Sequence, residues 1–352
     1  MPFLNLYKAR ITCQELYTFT RSIIMRCPRF LFNRFRISGF RSKPVLSCRI
    51  PGKKRNLVII CFAFLLSIYR CGPMSESHSR TILSEIKDTR DEILQKLAVT
   101  DDDCNDCEFW TVWDFDGTIL HGDCTEGLKD ENGRTVFKGL AELAIERQFA
   151  KDYIGENAVT DFFTEYRSRE KKDHLDAYTY IVKIFAGSRE KDIRTLARES
   201  HRDQYKPYYF QSSVQMLHGL KIAGIRNIVI SASAEFFVQE AGGFIPVQQS
   251  DIHGIQVEKK EGILTDRIID PVTYAEGKAQ LLKSLVEASG KRIFLLAGFG
   301  NSYGTDGPFL QYIAQQKLPT GKSTVLMING GQEPVQYAGL FQRVEQKSVL
   351  GK

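Results

Sequence analysis

Apolar and polar positions follow one another along the chain in a way that predicts short buried strands separated by helices. Four apolar runs of strand length end in polar or small residues: 109–113, 225–231, 292–298 and 323–329. Helical periodicity marks segments between them, for example residues 212–223 and 278–289. This succession predicts an α/β fold with a doubly wound parallel sheet, because parallel strands need crossover helices. Such sheets bind ligands at the carboxyl ends of their strands, which here carry the polar residues.

The long segment between the first two apolar runs has a different pattern. Residues 119–224 have few strand signals, many helical ones and a high aromatic content. We interpret them as a helical second domain inserted into a core formed by residues 109–118 and 225–340. The aromatic side chains are expected to form the small core of this insert. The alternative is a cage for a quaternary ammonium group such as phosphocholine.

The segment before the first strand, residues 75–108, is predicted to be a linker that leads into an amphipathic helix. Four apolar residues at helical spacing form the expected buried face: Ile82, Ile86, Ile93 and Leu97. Cys104 and Cys107 then form a lone CxxC pair, too few ligands for a zinc ribbon. If the protein resides in an oxidising compartment, Cys104 and Cys107 are expected to form a disulfide. In the cytosol they are expected to remain two free thiols, and Cys124 is expected to be free in either case.

The net charge of the chain is unevenly distributed. The 48 Lys and Arg residues outnumber the 42 Asp and Glu residues, which gives a formal net charge of +6. Residues 1–56 hold 13 basic side chains and one acidic side chain, a net charge of +12, so residues 57–352 carry 6 − 12 = −6. An acidic body offers no continuous basic surface to a phosphate backbone. Nucleic acid is therefore excluded as a partner of the folded part.

Residues 1–74 are predicted to be a basic arm that ends in an export signal or membrane anchor. A basic patch precedes an apolar run at 57–69, and Cys71 follows. A cysteine there is typical of bacterial lipoproteins, in which it is acylated, and predicts an exported protein anchored in the bacterial cell envelope. A mitochondrial transit peptide, or translation from Met25 or Met74, are the alternatives, and a start at Met74 predicts a cytoplasmic protein. No apolar run reaches the ~18–20 residues of a confident membrane span.

The strongest chemical signal is Asp114-Phe-Asp-Gly-Thr118, directly after the first apolar run. Strand alternation predicts Asp114 and Asp116 on one face and Phe115 on the other. Two carboxylates this close repel each other, and a divalent cation relieves the repulsion. With a metal and a cationic side chain nearby, Asp114 stays ionised and can attack phosphorus. Asp116 is placed to exchange a proton with the leaving oxygen.

Three later features fall at strand ends or helix starts of the same predicted sheet. Ser231 ends the second run, where a hydroxyl can hold a phosphate oxygen. Lys278 opens a helix, where it can neutralise the nucleophile and a transferring phosphoryl group. The loop after the third run contains Asn301 and Asp306, whose oxygens can complete a site of the Mg²⁺ type.

This set of residues, in this order, resembles the haloacid-dehalogenase superfamily of phosphohydrolases, most closely its phosphoserine-phosphatase-like branch. The resemblance covers residues 109–330. It implies a Rossmann-like core with an inserted helical cap that closes over the substrate. It also implies Mg²⁺-dependent hydrolysis of a small phosphorylated metabolite through an aspartyl-phosphate. In that scheme Asp114 is the nucleophile and Asp116 the general acid and base.

The resemblance also implies ligands for the phosphate and for the metal. Ser231 and Lys278 would bind the phosphoryl oxygens, and Thr118, the last residue of the first motif, would bind the substrate with them. The carboxylates of Asp114 and Asp306 and the main-chain carbonyl of Asp116 would hold Mg²⁺. Asn301 would lie near or on the ion.

The sequence departs from the family pattern in two places. Asn301 stands where the family usually has an Asp, and Asp306 comes one residue later than the common spacing. Phosphoserine phosphatases carry a Glu nine residues after the nucleophile. That position is Asp123 here, with Glu126 three residues further on, so substrate contacts are expected from these acids but phosphoserine specificity is not. The alternatives to a phosphatase are a catalytically weakened cell-envelope binding lipoprotein of the same fold and a phosphotransferase.

Overall fold

The computed structural model describes residues 76–99, 104 and 106–351. The basic arm, the apolar run at 57–69 and Cys71, on which the predicted export signal rests, lie outside the described residues. Within the described ranges no helix has both the length and the apolar character that crossing a membrane requires.

A largely parallel sheet forms the centre of the described part. Its strands are β1 (Cys107–Trp113), β4 (Arg226–Ala234), β5 (Ile252–Lys260), β6 (Ile263–Ile269), β7 (Arg292–Gly300), β8 (Thr324–Ile328) and β9 (Gln342–Val344), and a separate hairpin contains β2 (Gly127–Lys129) and β3 (Thr135–Lys138). The strand order is β6-β5-β4-β1-β7-β8-β9. Every neighbouring pair is parallel except β5 with β6, which form an antiparallel hairpin. The predicted α/β fold with a parallel sheet is confirmed.

Helices pack on both faces of this sheet and also form most of the segment between β1 and β4. They are α1 (Glu76–Val99), α2 (Leu140–Glu146), α3 (Ala158–Glu170), α4 (His174–Lys183), α5 (Glu190–Ser200), α6 (Gln211–Ile222), α7 (Glu235–Val238), α8 (Glu276–Ala288) and α9 (Gly307–Ala314). Two apolar clusters result, because successive strand residues point to opposite faces. The first holds Phe109 and Trp113 with residues of α1 and α6. The second holds Trp110 and Val112 with residues of α8 and α9.

Helix α1 belongs to the packed core. Its four predicted apolar positions are all buried: Ile82, Ile86, Ile93 and Leu97. They pack in the same cluster as Leu217 of α6 and Phe294 of β7. The segment interpreted as a linker is helical from Glu76. Packing of the apolar face against the core stabilises the helix over its whole length. Cys104 and Cys107 are joined by a disulfide at the start of β1, and Cys124 is free and buried.

The chain between β1 and α6 leaves the sheet and returns to it. It forms the β2–β3 hairpin, then α2 to α5, then a π-helical turn at His201–Tyr205. Helix α6 lies inside the segment predicted as the insert, yet it packs on β4 and on α1. The hairpin was not predicted, because its strands have three and four residues and carry little apolar pattern.

Candidate active site

The carboxyl ends of β4, β1 and β7 meet at one edge, because these strands are neighbours in the sheet. A cavity of about 360 Å³ opens there. Residues of all three strand ends line it, together with Lys278 from α8 and residues of the insert. Five of the predicted site residues face this space: Asp114, Asp116, Asp123, Lys278 and Asn301.

Asp114 is held by a buried cation and a hydroxyl. The Lys278 Nζ donates to Asp114 Oδ1 at 2.6 Å, and the Thr118 Oγ1 donates to Asp114 Oδ2 at 2.9 Å. The same Nζ lies 2.7 Å from Asp306 Oδ1, so Lys278 bridges two carboxylates. All three of these charged side chains are nearly or fully buried. Each oxygen of Asp114 therefore has a donor, and the carboxylate has one orientation.

The electrostatics of this group follow from burial and from the two acids around one lysine. Burial, and after it the Asp306 carboxylate, raises the pKa of Asp114, while Lys278 opposes the rise. Burial alone would lower the pKa of Lys278, but the carboxylates of Asp114 and Asp306 raise it above its usual value. Lys278 is thus a fixed positive charge beside Asp114.

Asp116 is held by uncharged donors instead. The backbone N–H of Cys124 donates to its Oδ1 at 2.8 Å, and the Ser233 Oγ donates to its Oδ2 at 2.7 Å. Burial raises the pKa of Asp116, and these two hydrogen bonds oppose the rise. The carboxyl group can therefore be fixed in direction without a salt bridge.

Ser231, the predicted phosphate ligand, lies behind the cavity wall. Its side chain is fully buried, its Oγ accepts the Ser233 N–H at 3.0 Å, and it is 3.5 Å from Asp116 Oδ2. Ala232 and Ser233 line the cavity. The Ser-Ala-Ser pattern was the signal for Ser233, because alternation along β4 puts both hydroxyls on one face.

The loop after β7 separates the roles of its two polar residues. The Oδ2 of Asp306 accepts the N–H groups of Asn301 and Ser302 at 2.9 and 3.0 Å, and its Oδ1 accepts from Lys278 and from Thr305 Oγ1. Asp306 is fully buried and Asn301 faces the cavity. Gly117 makes room for the amide, since a Cβ there would lie 2.0 Å from Asn301 Nδ2.

Comparison with known proteins bears on this geometry. A family model described as haloacid dehalogenase-like hydrolase matches residues 111–311, which is more than half of the chain. The chain belongs to the haloacid dehalogenase-like hydrolase family. No curated protein matches it significantly.

Three solved structures similar to this hydrolase show how far the likeness extends. A protein of unknown function from Bordetella pertussis Tohama I has a TM-score of 0.50 and 16% identity, over 68% of this chain and 98% of its own. A hydrolase of the same family from Salmonella enterica serovar Typhi has a TM-score of 0.44 and 16% identity, over 67% of each chain. A phospho-aspartyl intermediate analogue of phosphoserine phosphatase has a TM-score of 0.42 and 13% identity, over 70% and 96%. At such identities the likeness concerns the fold alone.

The two acids after the first motif of this hydrolase have different surroundings. Asp123 lines the cavity at the carboxyl ends of the strands, and its Oδ1 accepts the N–H groups of Thr125 and Glu126 at 2.7 Å each. Burial, with Asp116 and Glu126 nearby, raises the pKa of Asp123 well above its usual value. Glu126 accepts from Tyr166 Oη at 2.7 Å, pairs with Arg167, and lines a different pocket. The structure brings Asp123 to the site and leaves Glu126 in the insert.

Aromatic residues of the insert pack mainly on one another. Phe162, Tyr166 and Phe185 are buried. Tyr178 of α4 lines the cavity at the strand ends, and its ring lies 4.9 Å from that of Tyr274, in the loop before α8. The hydrolase thus has a contact between the insert and the core through a residue that lines the cavity.

The donor set can be tested against the Mg²⁺ that the family resemblance implies. Among the described residues no group of three or more His, Cys, Asp or Glu side chains is arranged to hold a metal ion. Mg²⁺ nevertheless binds commonly through one or two carboxylates, with waters and substrate phosphates as further ligands. Asp114 and the Asn301 amide supply hard oxygens at the cavity, and they fit such an ion. Asp306 is fully buried and does not line the cavity.

Proposed function

We propose that this hydrolase cleaves phosphate monoesters through an aspartyl-phosphate on Asp114. The observation that carries the proposal is the Asp114 carboxylate, held at the cavity by Lys278 and Thr118 with Asp116 beside it. A carboxylate oxygen attacks phosphorus, and the ester oxygen leaves with the bonding electrons. Negative charge then spreads over the phosphoryl oxygens, where the fixed charge of Lys278 stabilises it.

Asp116 acts first as general acid and then as general base. It protonates the leaving oxygen as the P–O bond breaks, and it then takes a proton from the water that hydrolyses the aspartyl-phosphate. Mg²⁺, held by Asp114, Asn301 and the main-chain carbonyl of Asp116, would add positive charge on the phosphoryl oxygens.

The substrate class that the cavity supports is a small phosphorylated metabolite. A volume of about 360 Å³ suits a compact molecule. Asp123 and the ring of Tyr178 face the space in which the leaving group would lie. A carboxyl group there favours an alcohol that carries hydroxyl or ammonium groups and disfavours further anionic groups.

The experiment is a screen of the full chain against phosphorylated metabolites and an aryl phosphate, with and without Mg²⁺. Asp114→Asn should abolish release of phosphate, and beryllium fluoride should be trapped by wild type and not by the variant. Hydrolysis by Asp114→Asn at the wild-type rate would contradict the proposal. Absence of both turnover and trapping would favour the binding lipoprotein. Transfer of phosphate to added alcohols would favour the phosphotransferase.

We also propose that the chain is exported and anchored at a membrane through its N-terminal segment. The basic patch, the apolar run at 57–69 and Cys71 support this, and the Cys104–Cys107 disulfide suits an oxidising compartment. Fractionation of bacterial cells that express wild type and Cys71→Ala tests it. Wild type should label with a fatty acid and sediment with membranes, and Cys71→Ala should lose the label. Wild type found unlabelled in the cytosol would contradict export.

A further inference from the structure

A chain of buried hydroxyl groups ends on the Asp116 carboxyl. The Thr125 Oγ1 donates to Ser233 Oγ at 3.1 Å, and the Ser233 Oγ donates to Asp116 Oδ2 at 2.7 Å. Thr125 and Ser233 are 4% and 5% exposed, so no bulk water competes for these hydrogen bonds. Thr125 lies in the insert, shortly before β2, whereas Ser233 lies on β4 of the core.

The direction of this chain follows from the number of protons. A hydroxyl has one proton to donate and two lone pairs to accept with. Because Thr125 uses its proton on Ser233, the proton of Ser233 is directed to Asp116. Its one donor is then committed, although the residue lines the cavity. A phosphate oxygen needs a donor, so Ser233 is not available as a phosphate ligand in this arrangement.

The two oxygens of Asp116 are not equivalent. Oδ2 receives the Ser233 hydroxyl and lies 3.5 Å from both Ser231 Oγ and Cys124 Sγ. Oδ1 receives the Cys124 N–H. The crowding on Oδ2 leaves Oδ1 as the oxygen with room for a transferred proton.

We propose that Ser233 is a positioning residue that holds Asp116 by Oδ2 so that Oδ1 protonates the leaving oxygen, and that Thr125 holds Ser233 for this task. The inference rests on the proposed function. When Asp114 attacks, the ester P–O bond breaks, its electron pair goes to the leaving oxygen, and the Asp116 proton goes to that oxygen. Ser233 exchanges no proton and acts through the direction of the carboxyl group.

The chemistry supplies a readout that a merely structural role would not move. An alkoxide is strongly basic and needs the proton as it leaves, whereas 4-nitrophenolate is a good leaving group without it. Misdirecting Asp116 should therefore slow alkyl phosphates far more than 4-nitrophenyl phosphate. A lost phosphate ligand, or a loosened fold, would slow both alike.

The experiment uses the full chain with Mg²⁺, an alkyl phosphate, and a series of aryl phosphates with leaving groups of graded pKa. Ser233→Ala should lower kcat/KM for the alkyl ester ~10- to 100-fold, the usual range for a hydrogen bond to a charged group, and change 4-nitrophenyl phosphate by less than about threefold. Thr125→Val should show the same selective loss for the alkyl ester, but more weakly. Thr125→Ser, which keeps the hydroxyl, should behave like wild type. Ser188→Ala removes another buried serine hydroxyl, which donates to the Phe149 carbonyl and does not line the cavity, and it should leave the leaving-group dependence unchanged.

A double-mutant cycle completes the test. In an Asp116→Ala background, adding Ser233→Ala should cause no further loss for the alkyl ester, because Ser233 acts through Asp116. Equal losses for both leaving groups, or a further loss in that background, would overturn the inference while leaving the proposed function intact. A wild-type chain that hydrolyses neither ester would overturn both. If Ser233→Ala does not fold, the comparison of Thr125→Val with Thr125→Ser tests the inference instead.

Discussion

The two halves of the site hold their carboxylates by different means. Asp114 contacts a buried lysine that a second carboxylate also binds. Asp116 contacts a backbone N–H and a serine hydroxyl. A nucleophile must stay ionised, and a fixed positive charge favours that state. A general acid must gain and lose a proton, and uncharged donors stay compatible with both forms. The difference supports the roles proposed for Asp114 and Asp116.

The largest expected effect comes from removing the cation. Lys278→Met should lower phosphatase activity by at least ~1000-fold, because it removes the charge nearest the reacting group. It should also reduce the free energy of unfolding by about 3–5 kcal/mol, because two buried carboxylates lose their partner. Activity assays and thermal denaturation measure the two effects. Lys278→Arg keeps the charge and serves as the control. If Lys278→Met keeps a tenth of wild-type activity, the nucleophile does not depend on this charge.

The next effect separates the two residues of the loop after β7. Asn301→Ala should raise the Mg²⁺ concentration for half-maximal activity ~10-fold or more, because it removes an oxygen at the cavity. Asp306→Asn should instead lower kcat ~10- to 100-fold through misplacement of Lys278 and the loop, with a smaller change in Mg²⁺ dependence. Mg²⁺ titrations of activity measure both. Asn301→Asp should lower the half-maximal concentration. If Asp306→Asn causes the larger increase in the Mg²⁺ concentration for half-maximal activity, Asp306 and not Asn301 is the metal ligand.

His201 shows what burial does to a pKa when no charged group among the described residues contacts the side chain. It is fully buried below Phe115, its Nδ1 lies 2.7 Å from Tyr209 Oη, and burial lowers its pKa to about 3. Unfolding restores a pKa of about 6.5, so the unfolded chain binds the proton first as the pH falls. The free energy of unfolding should therefore decrease from pH ~6.5 towards pH 3, by up to ~1.4 kcal/mol per pH unit from this site. Urea unfolding of wild type and His201→Gln measures the difference in slope. Equal slopes would contradict the lowered pKa.

The smallest effect is expected at the acid that lies away from the cavity. Glu126→Gln should change activity by less than about threefold and stability by about 0–1 kcal/mol, because its partner Arg167 is 48% exposed. Asp123→Asn is the matched change at the cavity and should alter substrate preference in the same screen. If Glu126→Gln and Asp123→Asn have comparable effects on activity, Glu126 contributes to the substrate site after all.

Much of the fold was predictable because it depends on local pattern. The runs at 109–113 and 292–298 became β1 and β7, and the periodic segment 278–289 became α8 within two residues. The hairpin of β5 and β6 was missed, because only Leu264 of β6 is buried and the polar residues Asp266 and Arg267 in the middle of the strand are exposed. An edge strand is specified by its neighbour more than by its own composition.

The candidate site divides in the same way. Asp114, Asp116 and Lys278 were found from motif and spacing, and they meet at one cavity. The sequence could not decide which of Ser231 and Ser233, or which of Asn301 and Asp306, faces the cavity. One residue along a strand or loop changes which atom faces the cavity, and that depends on the packing of distant elements.

What the sequence by itself determined is the order of strands and helices, the acidic motif and the residue types available for phosphoryl chemistry. These follow from periodicity and from covalent neighbours. Only the tertiary structure decided which hydroxyl meets Asp116, which oxygen donor faces the cavity and which acid of the insert reaches it. Those contacts join residues more than 100 positions apart, such as Asp116 and Ser233. Their geometry is set by burial and by the pairing of buried polar groups, which no local pattern records.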